Sequence, residues 1–245
     1  MTAEISPQEP GLAEHLATSL ETERYSLVRP LFANDIALAL SNPLGQPAAP
    51  FAEEAACLSP NAVAKRRQEF AAGRDAAHQA MALLGAPVQP IPVAENRAPV
   101  WPAGLVGSIS HTRSCAMAVV AHSGNTIVGH IRGLGLDVEE DKPLADELWP
   151  AICSPREQDW LRKQAKPGQM AKLVFSAKEA AYKCQFTLSA RYYGFDGMEL
   201  NIDVENQSFT ARFCADQPPF SCGDCISGRF AIGAGLIVTT AELRV

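Results

Sequence analysis

The apolar and polar positions of this chain alternate in two rhythms, one close to the period of a helix and one close to that of a strand. From Ser26 to Leu40 the apolar residues fit a first strand region, which Asn42-Pro43 and Gly45-Gln46-Pro47 then break. Ser59-Pro60 has the form of an N-cap followed by proline at the first helical position, and it predicts a long helix to about Leu84, stopped by Gly85 and Pro87. Val63, Phe70, Ala77, Met81 and Leu84 make the apolar stripe of that helix. The proline-rich stretch from Pro87 to Pro102 reads as a loop. Val106–His111 predicts a short strand ending on polar residues, joined through Thr112-Arg113-Ser114 to an apolar strand over Cys115–Ala121. The residues up to about number 20 are polar and show no core pattern.

Ser123-Gly124-Asn125 is a turn, and it divides the chain into an N-terminal half, 1–124, and a C-terminal half, 125–245. In Gly133–Glu139 the alternation puts Leu134, Leu136 and Val138 on a buried face and Gly135, Asp137 and Glu139 on the other. Helical patterns follow around Ala145–Ile152 and Ser154–Lys166, the second with Glu157 at the capping-box position and ended by Pro167-Gly168. Phe175–Lys183, rich in Ala, Glu and Lys, predicts a helix whose stripe of Phe175, Tyr182 and Phe186 faces the interior. After a loop through residues 191–197, strands are expected at Met198–Val204, Ser208–Cys214, Gly228–Ile232 and Leu236–Thr240. Each half thus carries one long helix and several strands, an α/β (α+β) architecture with two similar halves in one compact unit.

Composition narrows the function classes. With 245 residues, 47% hydrophobic and 20% charged, the chain can bury a sizeable core. No apolar run approaches the ~20 residues that span a bilayer, and the N-terminus lacks a basic-then-apolar signal, so a cytoplasmic protein with no membrane partner is expected. Seven cysteines, an odd number in no regular framework, fit free thiols in a reducing compartment. Cys222-Gly-Asp-Cys225 with Cys214 upstream raises zinc as an alternative, but no second pair or nearby His supports it. A formal charge of −6 gives no basic field for nucleic acid, so an anionic ligand needs a local patch such as Lys65-Arg66-Arg67.

Several charged residues fall where charge is costly. Glu179 lies on the aromatic stripe with Lys183 four residues on and Lys178 at its other edge. Two readings are open: an i,i+4 surface pair, or a carboxylate kept near the interior for chemistry. Arg74 lies within about 20° of the centre of the first long helix's stripe, with Arg67 beside it and Arg66 at its margin. Arginines there either snorkel over the apolar face or grip a phosphate. Arg97 adds a cation in the proline-rich loop, and His111 sits at a strand end, as a structural group or a ligand contact. Asp137 and Glu139, ~7 Å apart on one strand face, either face solvent or approach one cation.

Taken in order, Lys65-Arg66-Arg67-Gln68-Glu69-Phe70, Gly73-Arg74, Ala98–Pro102, Gly107–His111, Gly135–Glu139 and Phe175–Lys183 resemble the 4′-phosphopantetheinyl transferases, in the branch of the enterobactin synthase component D type. The resemblance implies a pseudo-dimeric fold with coenzyme A in the cleft between halves. It also implies transfer of the phosphopantetheine arm to a serine of an apo acyl or peptidyl carrier protein, as in siderophore, polyketide or fatty-acid synthesis, with release of adenosine 3′,5′-bisphosphate. Magnesium, with manganese as the substitute, is the implied cofactor, and the larger pseudo-dimeric form implies a monomer. By the same resemblance Asp137, Glu139 and Glu179 are metal ligands, and Glu179 also a general base. Lys183 and Lys178 meet the pyrophosphate, while Arg66, Arg74, His111, Ser110 and Arg97 meet the 3′-phosphate and adenosine side. The alternatives are a non-catalytic coenzyme A or nucleotide binding module, and a Mg-dependent phosphohydrolase that needs no protein partner.

Overall fold

The structure is a computed structural model that describes residues 10–124 and 131–244, with side chains in the first helix described from residue 19. The expected turn residue Asn125 lies outside the described residues.

The N-terminal stretch is helical: α1 runs Pro10–Val28, and the chain then closes a 3-10 turn over Arg29–Leu31 before β1, Ile36–Ser41. The strand region expected from Ser26 is therefore strand only in its second part. Val28, Leu31, Phe32, Ile36 and Leu38 are all buried, but by a helix end, a turn and a strand in succession, so the apolar run has no single period. The Arg29 guanidinium holds the turn, donating to the carbonyls of Phe32 and Ala33 at 3.0 and 3.2 Å.

After the short α2, Ala52–Ala55, the long helix α3 covers Ala64–Leu83. It begins later than Ser59-Pro60 suggests because those residues make a separate turn, with Ala62 N donating to Ser59 O at 2.9 Å. Arg67 folds back on that turn and donates to the carbonyls of Pro60 and Ala62, so it leaves the helix face. β2, Leu105–His111, and β3, Ala116–His122, form the expected hairpin, and the antiparallel sheet has the order β1-β3-β2. α3 packs Ala76, Ala77, Ala80 and Met81 against Ala118 and Val120 of this sheet.

The second sheet begins with β4, Ile131–Glu140, followed by the short helices α4, Trp149–Ile152, and α5, Pro155–Leu161. The expected capping box opens α5, with Ser154 Oγ accepting from Glu157 N at 3.2 Å. Pro167 does not end a helix but takes the first turn of α6, Pro167–Ser189, where proline's missing N–H costs nothing. β5, Met198–Asp203, β6, Ser208–Phe213, β7, Cys225–Gly233, and β8, Leu236–Arg244, complete an antiparallel sheet of order β4-β8-β7-β6-β5. No helix among the described residues is long and apolar enough to cross a membrane.

Both faces of β4 are covered, not one. Leu134, Leu136 and Val138 are buried as the alternation predicts, while the glycine face is pressed against α6. A Cβ on Gly135 would stand 1.8 Å from Ala180 O, and one on Gly133 2.4 Å from Cys184 O, so only glycine admits the helix this closely. The matching face of α6 is correspondingly small: Ala177, Ala180, Ala181 and Cys184 are fully buried. This corrects the expected inward stripe, because Phe175, Tyr182 and Phe186 are only half-buried at the margin of α6.

The two sheets meet edge to edge at β2 and β4, which run side by side in the same direction. Their junction is made by side chains. Ser108 Oγ accepts from Leu136 N at 3.0 Å and Ser110 Oγ from Val138 N at 3.2 Å, satisfying amides that the edge of β4 would otherwise bury unpaired.

Candidate functional site

Helical spacing brings Lys172, Ser176, Glu179 and Lys183 to one stripe of α6, and strand alternation brings Asp137 and Glu139 to the face of β4 that meets it. Asp137 is 5% exposed and carries most of the contacts. Its Oδ1 accepts from Lys183 Nζ at 2.7 Å and from Ser110 Oγ at 3.0 Å, and its Oδ2 from Ser176 Oγ at 2.8 Å. Thr239 on β8 completes the buried network by donating to Ser176 O at 2.8 Å. Glu139 is more open and accepts from Lys172 Nζ at 3.1 Å.

Glu179 is not the helix partner of Lys183, whose ammonium goes to Asp137 and to Leu136 O at 3.1 Å. No ion pair among the described residues includes Glu179. Burial lifts its pKa above the ordinary carboxylate value; Lys183 opposes the lift, and the negative charges of Asp137 and Glu139 add to it.

Across β2 lies the second cluster. Alternation sends Ser108 and Ser110 toward β4 and Ile109 and His111 toward α3. There Arg66, Arg74, Arg97 and His111 line a cavity of about 740 Å³. Arg66 Nη1 donates to His111 Nε2 at 3.3 Å. Burial pushes the His111 pKa down; Glu69 opposes that, and Arg66 and Lys183 lower it further, so the ring accepts as neutral imidazole. Arg74 is 6% exposed, as its place on the stripe predicts, with its guanidinium carbon 4.5 Å from the centre of the Phe70 ring. A second, mostly apolar cavity of about 680 Å³ lies between Trp101, Tyr182 and Phe186 and reaches Lys183. It shares Arg97, Pro99 and Ile109 with the basic cavity, so the two open on a common wall.

Two sequence-derived roles change. Ser110 belongs with Asp137 and not with the arginines, because its side chain is on the β4-facing side of its strand. Lys178 is turned away from the whole group: its ammonium is 2.8 Å from Glu157 Oε2 and donates at 2.9 Å to the carbonyls of both Ile152 and Phe195. All three of its donors are spent inside the protein, away from Asp137, Glu139 and Glu179. Conversely, Ser176, Lys172 and Thr239 escaped the reading of the sequence. The first two stand at i−3 and i−7 from Glu179, a spacing that could have found them.

As a metal site the carboxylates fit by donor chemistry. Asp137, Glu139 and Glu179 supply hard oxygens of the kind magnesium takes. They do not form a closed cage: among the described residues no group of three or more His, Cys, Asp and Glu side chains stands at metal-holding separation. Lys183 and Lys172 take the charge of Asp137 and Glu139.

Residues 52–121 match the family model of the 4′-phosphopantetheinyl transferase N-terminal domain, and residues 133–234 that of the 4′-phosphopantetheinyl transferase superfamily. The chain is 37% identical over 194 residues to 4′-phosphopantetheinyl transferase Svp of Streptomyces mobaraensis, covering 77% of this chain and 76% of that one. It is 32% identical over 204 residues to 4′-phosphopantetheinyl transferase PptT of Mycobacterium tuberculosis, covering 79% and 86%. To enterobactin synthase component D of Salmonella typhi it is 36% identical over 140 residues, covering 56% and 55%. These matches make the protein an enzyme of the transferase class. It belongs to the 4′-phosphopantetheinyl transferase superfamily.

Proposed function

We propose that the protein transfers the 4′-phosphopantetheine arm of coenzyme A to a serine of an apo acyl or peptidyl carrier protein and releases adenosine 3′,5′-bisphosphate. The observation that carries this reading is the placement of a basic cavity and a carboxylate cluster on opposite sides of β2, with Lys183 bonded to Asp137 and lining the apolar cavity that shares a wall with the basic one. A ligand with one phosphate at its far end and a pyrophosphate at its middle suits that spacing. Arg66, Arg74 and His111 hold the 3′-phosphate, with Arg97 at the shared wall. The apolar trough beside Trp101 and Phe186 takes the pantetheine arm.

Asp137, Glu139 and Glu179 would hold magnesium or manganese, which when bound supplies charge neutralisation at the pyrophosphate. Lys183 moves its ammonium from Asp137 to the phosphate oxygens. Glu179 takes the proton of the carrier serine as its oxygen bonds to phosphorus, and the bond from that phosphorus to the bridging oxygen breaks. Its raised pKa supports the role of base. The reading includes residues 1–124 and 125–245 as the two halves, supported by a long helix packed on an antiparallel sheet in each, α3 in the first and α6 in the second, and a monomer acting in the cytoplasm.

Incubation with coenzyme A and a panel of apo carrier proteins, with and without magnesium, tests the reading by intact mass. One added phosphopantetheine on a carrier, dependent on the metal, is expected. Release of adenosine bisphosphate without any carrier would make the protein a hydrolase, and saturable coenzyme A binding without product would make it a binding module.

A further inference from the structure

Glu54 has no place in the reaction, yet it is 0% exposed, and its carboxylate is the hub of a small polar cluster behind the basic cavity. Oε1 accepts from Ile91 N at 2.8 Å and from His78 Nε2 at 2.9 Å, and Oε2 accepts from Phe51 N at 2.8 Å. Burial works against its charge, but the bonds from His78, Ile91 and Phe51 outweigh burial and hold the pKa below the ordinary value. The carboxylate is therefore ionised and fixed to three separate segments: α2, α3 and the loop before β2.

Arg74 stands over this anion. Its Nε is 3.7 Å from Glu54 Oε1, too far for a hydrogen bond, and it is a buried donor without a hydrogen-bond partner. Burial lowers the Arg74 pKa, and the Glu54 charge is the largest influence opposing it, while Arg66 pushes the other way. The two contacts act differently. Phe70 fixes the plane of the guanidinium from one face and Glu54 fixes its edge by charge alone. Because Oε1, the oxygen nearest Arg74, already accepts from Ile91 and His78, it attracts the guanidinium by charge without taking a hydrogen bond from it, and Arg74 lines the cavity.

We propose that Glu54 is a positioning residue for recognition of the 3′-phosphate, holding the Arg74 guanidinium beside Arg66 and His111 with its donors directed to the ligand. The proposal rests on the reading of that cavity as the 3′-phosphate site. A carboxylate that served only to cap α2 and tie down the loop would not affect which nucleotide is preferred.

The test uses adenosine 3′,5′-bisphosphate and adenosine 5′-monophosphate as paired probes, with affinities measured by calorimetry on the whole chain, so that no carrier or turnover is involved. Wild-type protein should prefer the bisphosphate. Arg74→Ala should abolish most of that preference, and Glu54→Gln should reduce it by about tenfold, the scale of one charge-assisted contact. In the Arg74→Ala background, Glu54→Gln should change the preference no further. If Glu54→Gln keeps the wild-type preference, or weakens both probes equally, while Arg74→Ala loses it, the proposal falls and the cavity reading stands. An additional loss of preference in the double variant also overturns action through Arg74. Wild-type preference in Arg74→Ala would instead sink the cavity reading beneath it. Should Glu54→Gln not fold, Glu54→Asp withdraws the charge by one methylene, and an undiminished preference there likewise overturns the proposal.

Discussion

Lys183 follows Glu179 by one turn of α6, yet its ammonium lies 2.7 Å from Asp137 Oδ1 on a different element. The helix-surface pair that this spacing commonly makes is replaced by a tertiary bond between helix and strand. Glu179 is left without its obvious counterion, and that sets the first expectation.

Because burial raises the Glu179 pKa, there is a pH window in which the folded protein holds a proton there that the unfolded chain has lost. The contribution to stability is fully present below the unfolded value, near 4.5, and is lost as pH rises through the raised folded value. Glu179→Gln lacks this dependence. In chelator-treated protein its melting temperature should gain on the wild type as pH rises through that window, while transfer falls by about 10²- to 10⁴-fold or further. Parallel melting curves at every pH would show the carboxylate to be unperturbed.

Asp137→Asn keeps the shape of the side chain and one acceptor but removes the charge that Lys183 and two hydroxyls share. Transfer should fall by at least about 10²-fold, and the far-ultraviolet circular dichroism should be unchanged. Normal turnover in this variant would remove Asp137 from the site.

The two lysines of α6 should separate stability from rate. Lys178 and Glu157 are each 3% exposed, so Lys178→Met strands a buried carboxylate and should cost about 3–5 kcal/mol in denaturant unfolding. Coenzyme A affinity of the folded fraction should be unchanged. Lys183 is 28% exposed and its partner Asp137 keeps the Ser110 and Ser176 hydroxyls, so Lys183→Met should cost less than Lys178→Met while slowing transfer strongly. The reverse pattern would return Lys178 to the pyrophosphate.

Gly135→Ala places a methyl group inside the van der Waals radius of Ala180 O. Overpacking against backbone has no side chain to move aside, so a loss of about 3 kcal/mol or more is expected, read as a fall in the urea midpoint. A variant of wild-type stability would mean that α6 and β4 do not approach as closely as they do here.

Much of the fold was legible where period and punctuation agreed. The β2–β3 hairpin, the capping box at Ser154 and the later strands all follow from alternation and turn residues. The pattern misleads where one apolar run serves several elements, as from Ser26 to Leu40, and at Pro167, where a proline that suggests a stop also suits a first turn. The site shows the same division. Asp137, Glu139 and Arg74 were placed by periodicity on faces that the structure brings to clusters. The buried pair of Lys178 with Glu157 has no signature in the sequence, because Glu157 is contributed by α5 and no local pattern links the two. Glu54 was invisible for a similar reason: its partners come from Phe51, His78 and Ile91, and only folding brings them together.

The serine hydroxyls that join β2 to β4 also act as a ruler. Ser108 meets Leu136 and Ser110 meets Val138, so both rungs engage in a single alignment of the two strands. A slip of one residue would turn both hydroxyls to the wrong face, and a slip of two would displace one strand along the other by about 7 Å. His111 on one strand and Asp137 on the other are thereby kept at a constant offset. On the proposed function, the distance between the groups that hold the two ends of the nucleotide is thus measured by the molecule's own internal graduation and does not depend on a flexible hinge.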